Sequence, residues 1–285
     1  MTGMDFEDFS FGLYEKALPD DLDWKTRLKT AGEVGYDFVE ISIDETDERL
    51  ARLDWDMSGR NNLVRCQLET GVRILSMCLS AHRRFPIGSV DPEIRNNGMN
   101  IMFKAIDLAA DTGIRLIQLA GYDCGVNEPR TSDTRRLFRE NLYKSVRYAC
   151  VRGVVLALEN IGPALVDSVT QAMEYVNDLK SPYLQVYPDF GNLDAVNLNI
   201  ETELQAGMGH LMGIHVKDTR ENHIRRIPFG KGRVDFTEAF RVIKSIGYRG
   251  PLLVEMWADD RPDAARLVLE SRLWLLEKMR AVWGT

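Results

Sequence analysis

The sequence predicts one (β/α)8 barrel, an α/β fold of eight parallel strands ringed by helices, over residues 1–285. Three observations point to it. An amphipathic stretch, a glycine and a short apolar run recur along the chain. The apolar runs are rich in Val, Ile and Leu, as strands buried on both faces should be. No Pro/Ser-rich linker, low-complexity tract or charge block marks a domain boundary. Strand–helix alternation repeated eight times in ~250 residues fits a barrel better than a doubly wound sheet, which wants fewer strands or a second domain.

Strand one lies in "FGLYEKA", from Phe11, with Glu15 and Lys16 on the rim beyond it, able to bind substrate or to pair with each other. "EVGYDFVEIS" carries strand two, and the acids of the following "DETDERL" read as a helix cap. "ETGVRILSMCLS" and "DTGIRLIQLAG" carry strands three and four; Gln118 is polar within the latter and is given no role. The helical "DTRRLFRENLYKSVRYAC" leads to strand five, "VVLALEN", and "SVTQAMEYVNDLK" leads to strand six in "LQVYPDFG". Met99, Met102 and Phe103 read as helix packing. In strand seven, "GIHVKD", period two sends Gly213, His215 and Lys217 to one face and Ile214 and Val216 to the other. Strand eight is "PLLVEMW". Gly35, Gly71, Gly113, Gly153 and Gly247 suit the left-handed position that closes a helix.

Hydrophobic residues at 45% and a mean hydropathy of −0.24 suit a soluble protein with a full core. A net charge of −7 argues against a general nucleic-acid or anionic-membrane binder, so an anionic ligand would need a local basic pocket. No apolar run approaches the ~20 residues of a membrane span. The acidic start, "MTGMDFEDFS", lacks the basic and apolar segments of a signal peptide. Cys66, Cys78, Cys124 and Cys150 form no C-x-x-C pair and read as reduced thiols of a cytoplasmic protein.

Chemistry in such barrels sits at the C-terminal strand ends. Strand five ends in Glu159, strand six in Asp189, strand seven carries His215 and strand eight Glu255. A lone strand-end acid is more often a helix cap, and a lone histidine a bonded core residue. At equivalent positions of four successive strands, three acids would repel one another, and a divalent cation relieves that. The set predicts one divalent metal ion, with Zn, Mn, Mg and Co all compatible with three oxygens and one nitrogen. Asp218 follows as either an outer acceptor or a cap.

In chain order, "LALEN", "YPDFGN", "HVKD" and "LLVEMW" resemble the xylose-isomerase-like barrel superfamily. "GLYEKALP", "ISIDETDERLARLDW", "SMCLSAHRRFPIGS", "IQLAGYD" and "IPFGKG" narrow the resemblance to its pentulose-5-phosphate 3-epimerases, from Phe11 to beyond Trp257. Two departures, "LENI" after strand five and Lys231 in the glycine-rich loop, touch no ligand but bear on substrate preference. The resemblance implies an isomerase interconverting L-xylulose 5-phosphate and L-ribulose 5-phosphate, as in L-ascorbate degradation. It implies a phosphorylated ketopentose as substrate and leaves a homodimer open. Epimerisation at C3 removes a proton beside the C2 carbonyl and returns it from the other face, through an enediolate stabilised by the metal. The resemblance makes Glu159 and Glu255 the acid–base pair, with Asp189 and His215 as ligands only.

Lys217 shares a face with His215 and either binds substrate or pairs with a rim acid. For the phosphate, the loop after strand three offers Ser80, His82, Arg83 and Arg84, against the alternative of a solvated basic face. A second basic stretch carries Arg225, Arg226 and Lys231 beside Gly230 and Gly232. Rival readings are a 1,2-ketose/aldose isomerase on the same site, a non-catalytic sugar-phosphate-binding barrel, and a multi-zinc DNA-repair nuclease. The nuclease is disfavoured by the chain's four histidines and its acidic balance.

Overall fold

The computed structural model describes residues 9–284 apart from 163, 222, 259 and 260; the acidic start, expected to be no signal peptide, falls largely in 1–8, outside the described residues. All eight expected strands form. They are β1 (Phe11–Tyr14), β2 (Phe38–Ile43), β3 (Arg73–Leu79), β4 (Leu116–Ala120), β5 (Val155–Glu159), β6 (Leu184–Val186), β7 (Ile214–Val216) and, last, β10 (Leu252–Val254). The intervening helices are α1 (Trp24–Glu33), α2 (Asp47–Ala51), α3 (Met57–Thr70), α4 (Pro92–Thr112), α5 (Ser132–Arg152) and α6 (Val169–Leu179). The second half adds α7 (Phe190–Ala195), α8 (Ile200–Ala206), α9 (Phe236–Ser245) and α10 (Ala264–Trp283). The five glycines expected to close helices all have positive φ, from 65° at Gly247 to 90° at Gly35.

The strands pair in parallel in the order β6-β5-β4-β3-β2-β1-β10-β7. Parallel bridges Val186↔Leu211 and Asp189↔His215 join β6 to β7 and close the ring. Period two then divides the side chains. Val39, Ile41 and Ile43 point outward into the main core beneath the helices, while Tyr14, Phe38, Cys78 and Leu253 form a separate cluster with Trp257. Glu40, Ser76, Gln118 and His215 share the inward parity of that second cluster, and all are fully buried. The interior is therefore apolar in part and strongly polar in one layer.

A short antiparallel hairpin, β8 (Asp218–Arg220) and β9 (His223–Ile227), stands between β7 and α9. Asp218 holds it, accepting from the amides of Gly230 at 3.0 Å, Gly232 at 2.8 Å and Val234 at 3.3 Å. These glycines thus serve the hairpin's own fold. Among the described residues Asp218 accepts from the amides of this segment and from Thr219, not as a helix cap and not from a residue of the predicted metal site.

Gly213 shows how closely the interior is packed. A Cβ there would lie 2.5 Å from the Tyr187 ring, which in turn meets the His215 ring edge-on at 4.8 Å between centroids. Gly213→Ala should cost ~1–3 kcal/mol as an overpacking change, read as a lower midpoint in urea unfolding. An unchanged midpoint would show that Tyr187 yields freely.

Candidate active site and metal centre

Glu159, Asp189, His215 and Glu255 converge as their strand positions require. One potential ligand atom from each lies within 4.8 Å of all the others, and all four residues are buried. They come from four neighbouring staves of the barrel, β5, β6, β7 and β10, so Glu159 and Glu255 form the outer pair. Each residue is held differently. Gln118 donates from Nε2 to Glu159 Oε2 at 2.6 Å. Asp189 divides its two oxygens. Its Oδ1 caps α7 by accepting from the Asn192 amide at 2.8 Å, while Oδ2 faces the cluster. His215 Nδ1 is 3.1 Å from Glu159 Oε1, and its Nε2 is 2.9 Å from Glu40 Oε1. Lys217 Nζ stands 2.9 Å from both Asp189 Oδ2 and Glu255 Oε2.

These two oxygens are buried and, despite Lys217, accept no hydrogen bond of good geometry from the described residues. One ammonium shared between two buried carboxylates leaves each only partly compensated, and a second cation at the cluster would relieve that cost. Three carboxylates and an imidazole around that point fit a divalent metal ion. The electrostatics agree. Burial, together with the charges of Glu255 and Glu159, pushes the Asp189 carboxyl up to about 8 against the pull of Lys217. Burial also opposes ionisation of Glu255, but Lys217 and His215 overcome it and hold that carboxyl at about 2. Lys217 is buried, yet Asp189 and Glu255 hold its ammonium well above the ordinary lysine range.

A cavity of about 370 Å³ opens above the cluster, lined by Glu159, Lys217 and Glu255 and by Ser80, Arg83, Lys16 and Trp257, with Arg225 and Arg226 of the hairpin. Of the loop after β3, Ser80 and Arg83 reach it. Arg83 is held by Glu45 at 2.7 Å and by the Tyr122 hydroxyl at 3.1 Å. His82 and Arg84, expected to bind substrate with Ser80 and Arg83, do not line the cavity. His82 is turned into the core against the Gly98 carbonyl at 3.2 Å, and burial pushes its imidazole down to about 4. Arg84 is half exposed and paired with Asp47 at 2.7 Å. Glu15 and Lys16 do not pair with each other: Glu15 is buried against Arg49 and Arg52, and Lys16 binds Asp44. In "DETDERL", Thr46 caps α2 and Asp44 accepts from the Thr46 amide at 2.9 Å.

Sequence reasoning assigned nothing to Glu40 and no role to Gln118. Both were legible as charged or amide side chains at inward parity in strands that are otherwise apolar. All four cysteines are free. Among the described residues, no helix is long and apolar enough to cross a membrane.

A model of the xylose isomerase-like TIM barrel family matches residues 28–278. L-ribulose-5-phosphate 3-epimerase UlaE of Shigella sonnei is 49% identical over 268 residues, 94% of each chain. The protein of the same name from Escherichia coli O157:H7 gives the same figures. Among solved structures, D-allulose 3-epimerase of Methylomonas sp. has a TM-score of 0.77 at 18% identity, over 95% of this chain and 97% of that one. An L-ribulose 3-epimerase has a TM-score of 0.76 at 18% identity, over 96% and 95%. At that identity the structures share the fold. The chain belongs to the xylose isomerase-like TIM barrel family.

Asp189→Asn separates the residue's two roles. Asparagine caps a helix as well as aspartate does, so the thermal midpoint should stay near that of the unaltered protein. Bound metal, read by elemental analysis after dialysis, should fall by more than the ~10–100-fold that loss of an outer-shell partner costs. Full metal content in this variant would remove Asp189 from the ligand set.

Proposed function

We propose that this xylose isomerase-like barrel is an L-ribulose-5-phosphate 3-epimerase, interconverting L-ribulose 5-phosphate and L-xylulose 5-phosphate in the cytoplasm. The observation that carries the reading is the pair Glu159 and Glu255 at the outer edges of one buried, cation-seeking cluster. Its support is a relative of that name at 49% identity over nearly the whole chain.

Inversion at C3 sets the requirement. The hydrogen beside the C2 carbonyl leaves as a proton on one face, and a proton arrives on the other. A single carboxylate returning its own proton to the same face regenerates the starting epimer, so two are needed. Glu159, Asp189, His215 and Glu255 would hold a divalent ion, Zn, Mn, Mg or Co. When bound, that ion supplies Lewis-acid stabilisation of the negative charge developing on the sugar oxygens. Glu159 and Glu255 exchange the C3 proton through their carboxylate oxygens. Gln118 fixes the orientation of Glu159, and Lys217 keeps Glu255 ionised and in place. Asp189 and His215 coordinate and take no proton from the sugar.

The 5-phosphate lies at the basic part of the cavity lining, with Ser80 and Arg83 as donors and the hairpin arginines Arg225 and Arg226 beside the same space. Glu45 and Tyr122 fix the Arg83 guanidinium in advance, so little rotamer freedom is lost when a phosphate binds. Arg83→Ala should weaken the phosphorylated pentulose by about 1–3 kcal/mol in kcat/KM, the range for a lost charged hydrogen bond. L-ribulose without phosphate should be nearly unaffected. Equal losses on both sugars would mean that Arg83 serves the loop rather than the phosphate.

The acid–base assignment has its own test. Replacing Glu255 by glutamine keeps the size of the side chain and removes one base. Glu159 can still take the proton from one epimer and exchange it with solvent. In D2O, Glu255→Gln should wash deuterium into C3 of one epimer while net epimerisation collapses, and Glu159→Gln should favour the other epimer. Symmetric exchange in either variant, read by proton NMR at C3, contradicts two opposed bases. Appearance of an aldose in place of the C3 epimer would identify a 1,2-isomerase instead.

A further inference from the structure

We infer that Glu40 is a positioning residue for the metal centre: it holds the proton of His215 on Nε2 and so makes Nδ1 the ligand atom. The inference rests on the metal reading above and goes beyond it to a residue on the far side of the barrel.

The two nitrogens of His215 face different surroundings. Nδ1 looks towards the cluster, 3.1 Å from Glu159 Oε1, 3.7 Å from Asp189 Oδ2 and 3.9 Å from Glu255 Oε2. Nε2 has Glu40 Oε1 at 2.9 Å. A neutral imidazole carries one proton, and the hydrogen bond made by one nitrogen decides what the other can do. With the proton on Nε2, the ring donates to Glu40 and turns the Nδ1 lone pair towards the three carboxylates' shared space. Without a cation each tautomer sets one lone pair against a carboxylate oxygen, Nδ1 against Glu159 or Nε2 against Glu40. A cation in the shared space would take the Nδ1 lone pair, whereas the opposite tautomer would still hold Nε2 against Glu40. That tautomer also blocks Nδ1 with a hydrogen. With a cation present, Glu40 therefore selects the binding tautomer.

The geometry leaves Glu40 little freedom to do otherwise. It is fully buried on β2, and β2 and β7 are separated by β1 and β10 around the ring. Its second oxygen accepts from Ser76 Oγ at 2.6 Å, and Ser76 is its register partner on β3. The Tyr187 ring meets His215 edge-on, which restrains the imidazole plane. Glu40 is absent from the cavity lining, and its hydrogen-bond contact with the cluster is through the histidine. A buried carboxylate at an inward barrel position is destabilising, and an apolar residue would fill the layer at lower cost. Its presence is explained when a metal ligand depends on it.

The experiment uses the full-length protein, freed of metal and titrated with Zn2+ in competition with a chromogenic chelator. 15N NMR of histidine-labelled protein reports the His215 tautomer independently of activity. Glu40→Gln keeps an acceptor oxygen for Nε2–H, while its amide group can donate to Ser76 Oγ. It should keep the Nε2–H tautomer and bind Zn2+ about 10-fold more weakly, having lost the charge that raises ligand basicity. Glu40→Ala removes the acceptor and should bind about 100-fold more weakly, with the tautomer mixed or reversed. A purely packing role would lower the melting temperature of either variant and leave tautomer and affinity alone. If unaltered protein binds Zn2+ and both variants bind it equally well, this inference is overturned while the metal centre stands. If unaltered protein binds no ion, the metal reading fails and takes the inference with it. Should Glu40→Ala not fold, Glu40→Gln decides: unchanged affinity overturns the inference, and a tenfold loss with the tautomer kept supports it.

Discussion

Everything at the centre of this barrel depends on the cost of holding carboxylates away from water. Glu40, Glu159, Asp189 and Glu255 all sit at or below 9% exposure, with Lys217 and His215 as the basic groups among them. Loss of water is the main force that pushes the Asp189 carboxyl up to about 8, and the charges of Glu255 and Glu159 add to it against the pull of Lys217. The protein does not relieve this cost with more lysines or with apolar replacements. It leaves two oxygens without good hydrogen bonds at one point and braces the remaining ones with Gln118, Asn192 and Ser76. Such an arrangement is poor for stability alone. It is well suited to a cation whose charge the protein groups supply only in part.

The barrel makes this concentration feasible because two kinds of interior are kept apart. Outward-facing Val39, Ile41 and Ile43, and their equivalents on other strands, bury apolar surface beneath the helices. That core stabilises the fold without reference to the site. Inward-facing residues are then free to carry charge at the rim, with Tyr187 fitted against the bare backbone of Gly213 to fill space beside His215. Asp189 joins fold and site in one side chain. Its Oδ1 secures the start of α7, and Oδ2 faces the cluster. A strand-end acid need not be either a cap or a ligand, since a carboxylate has two oxygens to commit.

The strands and the four clustered residues could be read in the sequence because both depend on period and order, which survive in one dimension. Each strand is a short apolar run, most of them after a helix-closing glycine, and each of the four lies within its strand or up to three residues past its C-terminal end. What escaped reading depends on partners distant in the chain. Glu40 is 175 positions from His215, and only ring closure brings the two together. His82 looked like a donor beside two arginines, yet the short turn at Ala81–Arg83 rotates it into the core, where the Gly98 carbonyl takes it. Arg84 leaves the cavity for the same local reason, one step further along that turn. The β8–β9 hairpin was hidden because its apolar content is low and its fold rests on one aspartate collecting amide donors.

The distribution of charge along the cavity lining argues for how a substrate lies in it. Carboxylates and Lys217 stand at the floor, where the pull on Glu255 and the push on Asp189 are strongest. Arginines contributed by the loop after β3 and by the hairpin line the same space, with Arg83 already fixed by Glu45 and Tyr122. A neutral polyol alone would feel little reason to choose between its two ends. On the proposed function a sugar phosphate would: its dianion would be repelled by the buried carboxylates and drawn to the guanidinium groups, which would leave the carbonyl end for Glu159 and Glu255. The lining also carries Asp20, Asp44, Glu45 and Glu48, with Lys16 paired to Asp44 and Arg83 to Glu45, so the orientation rests on where the arginines stand and not on a net basic wall.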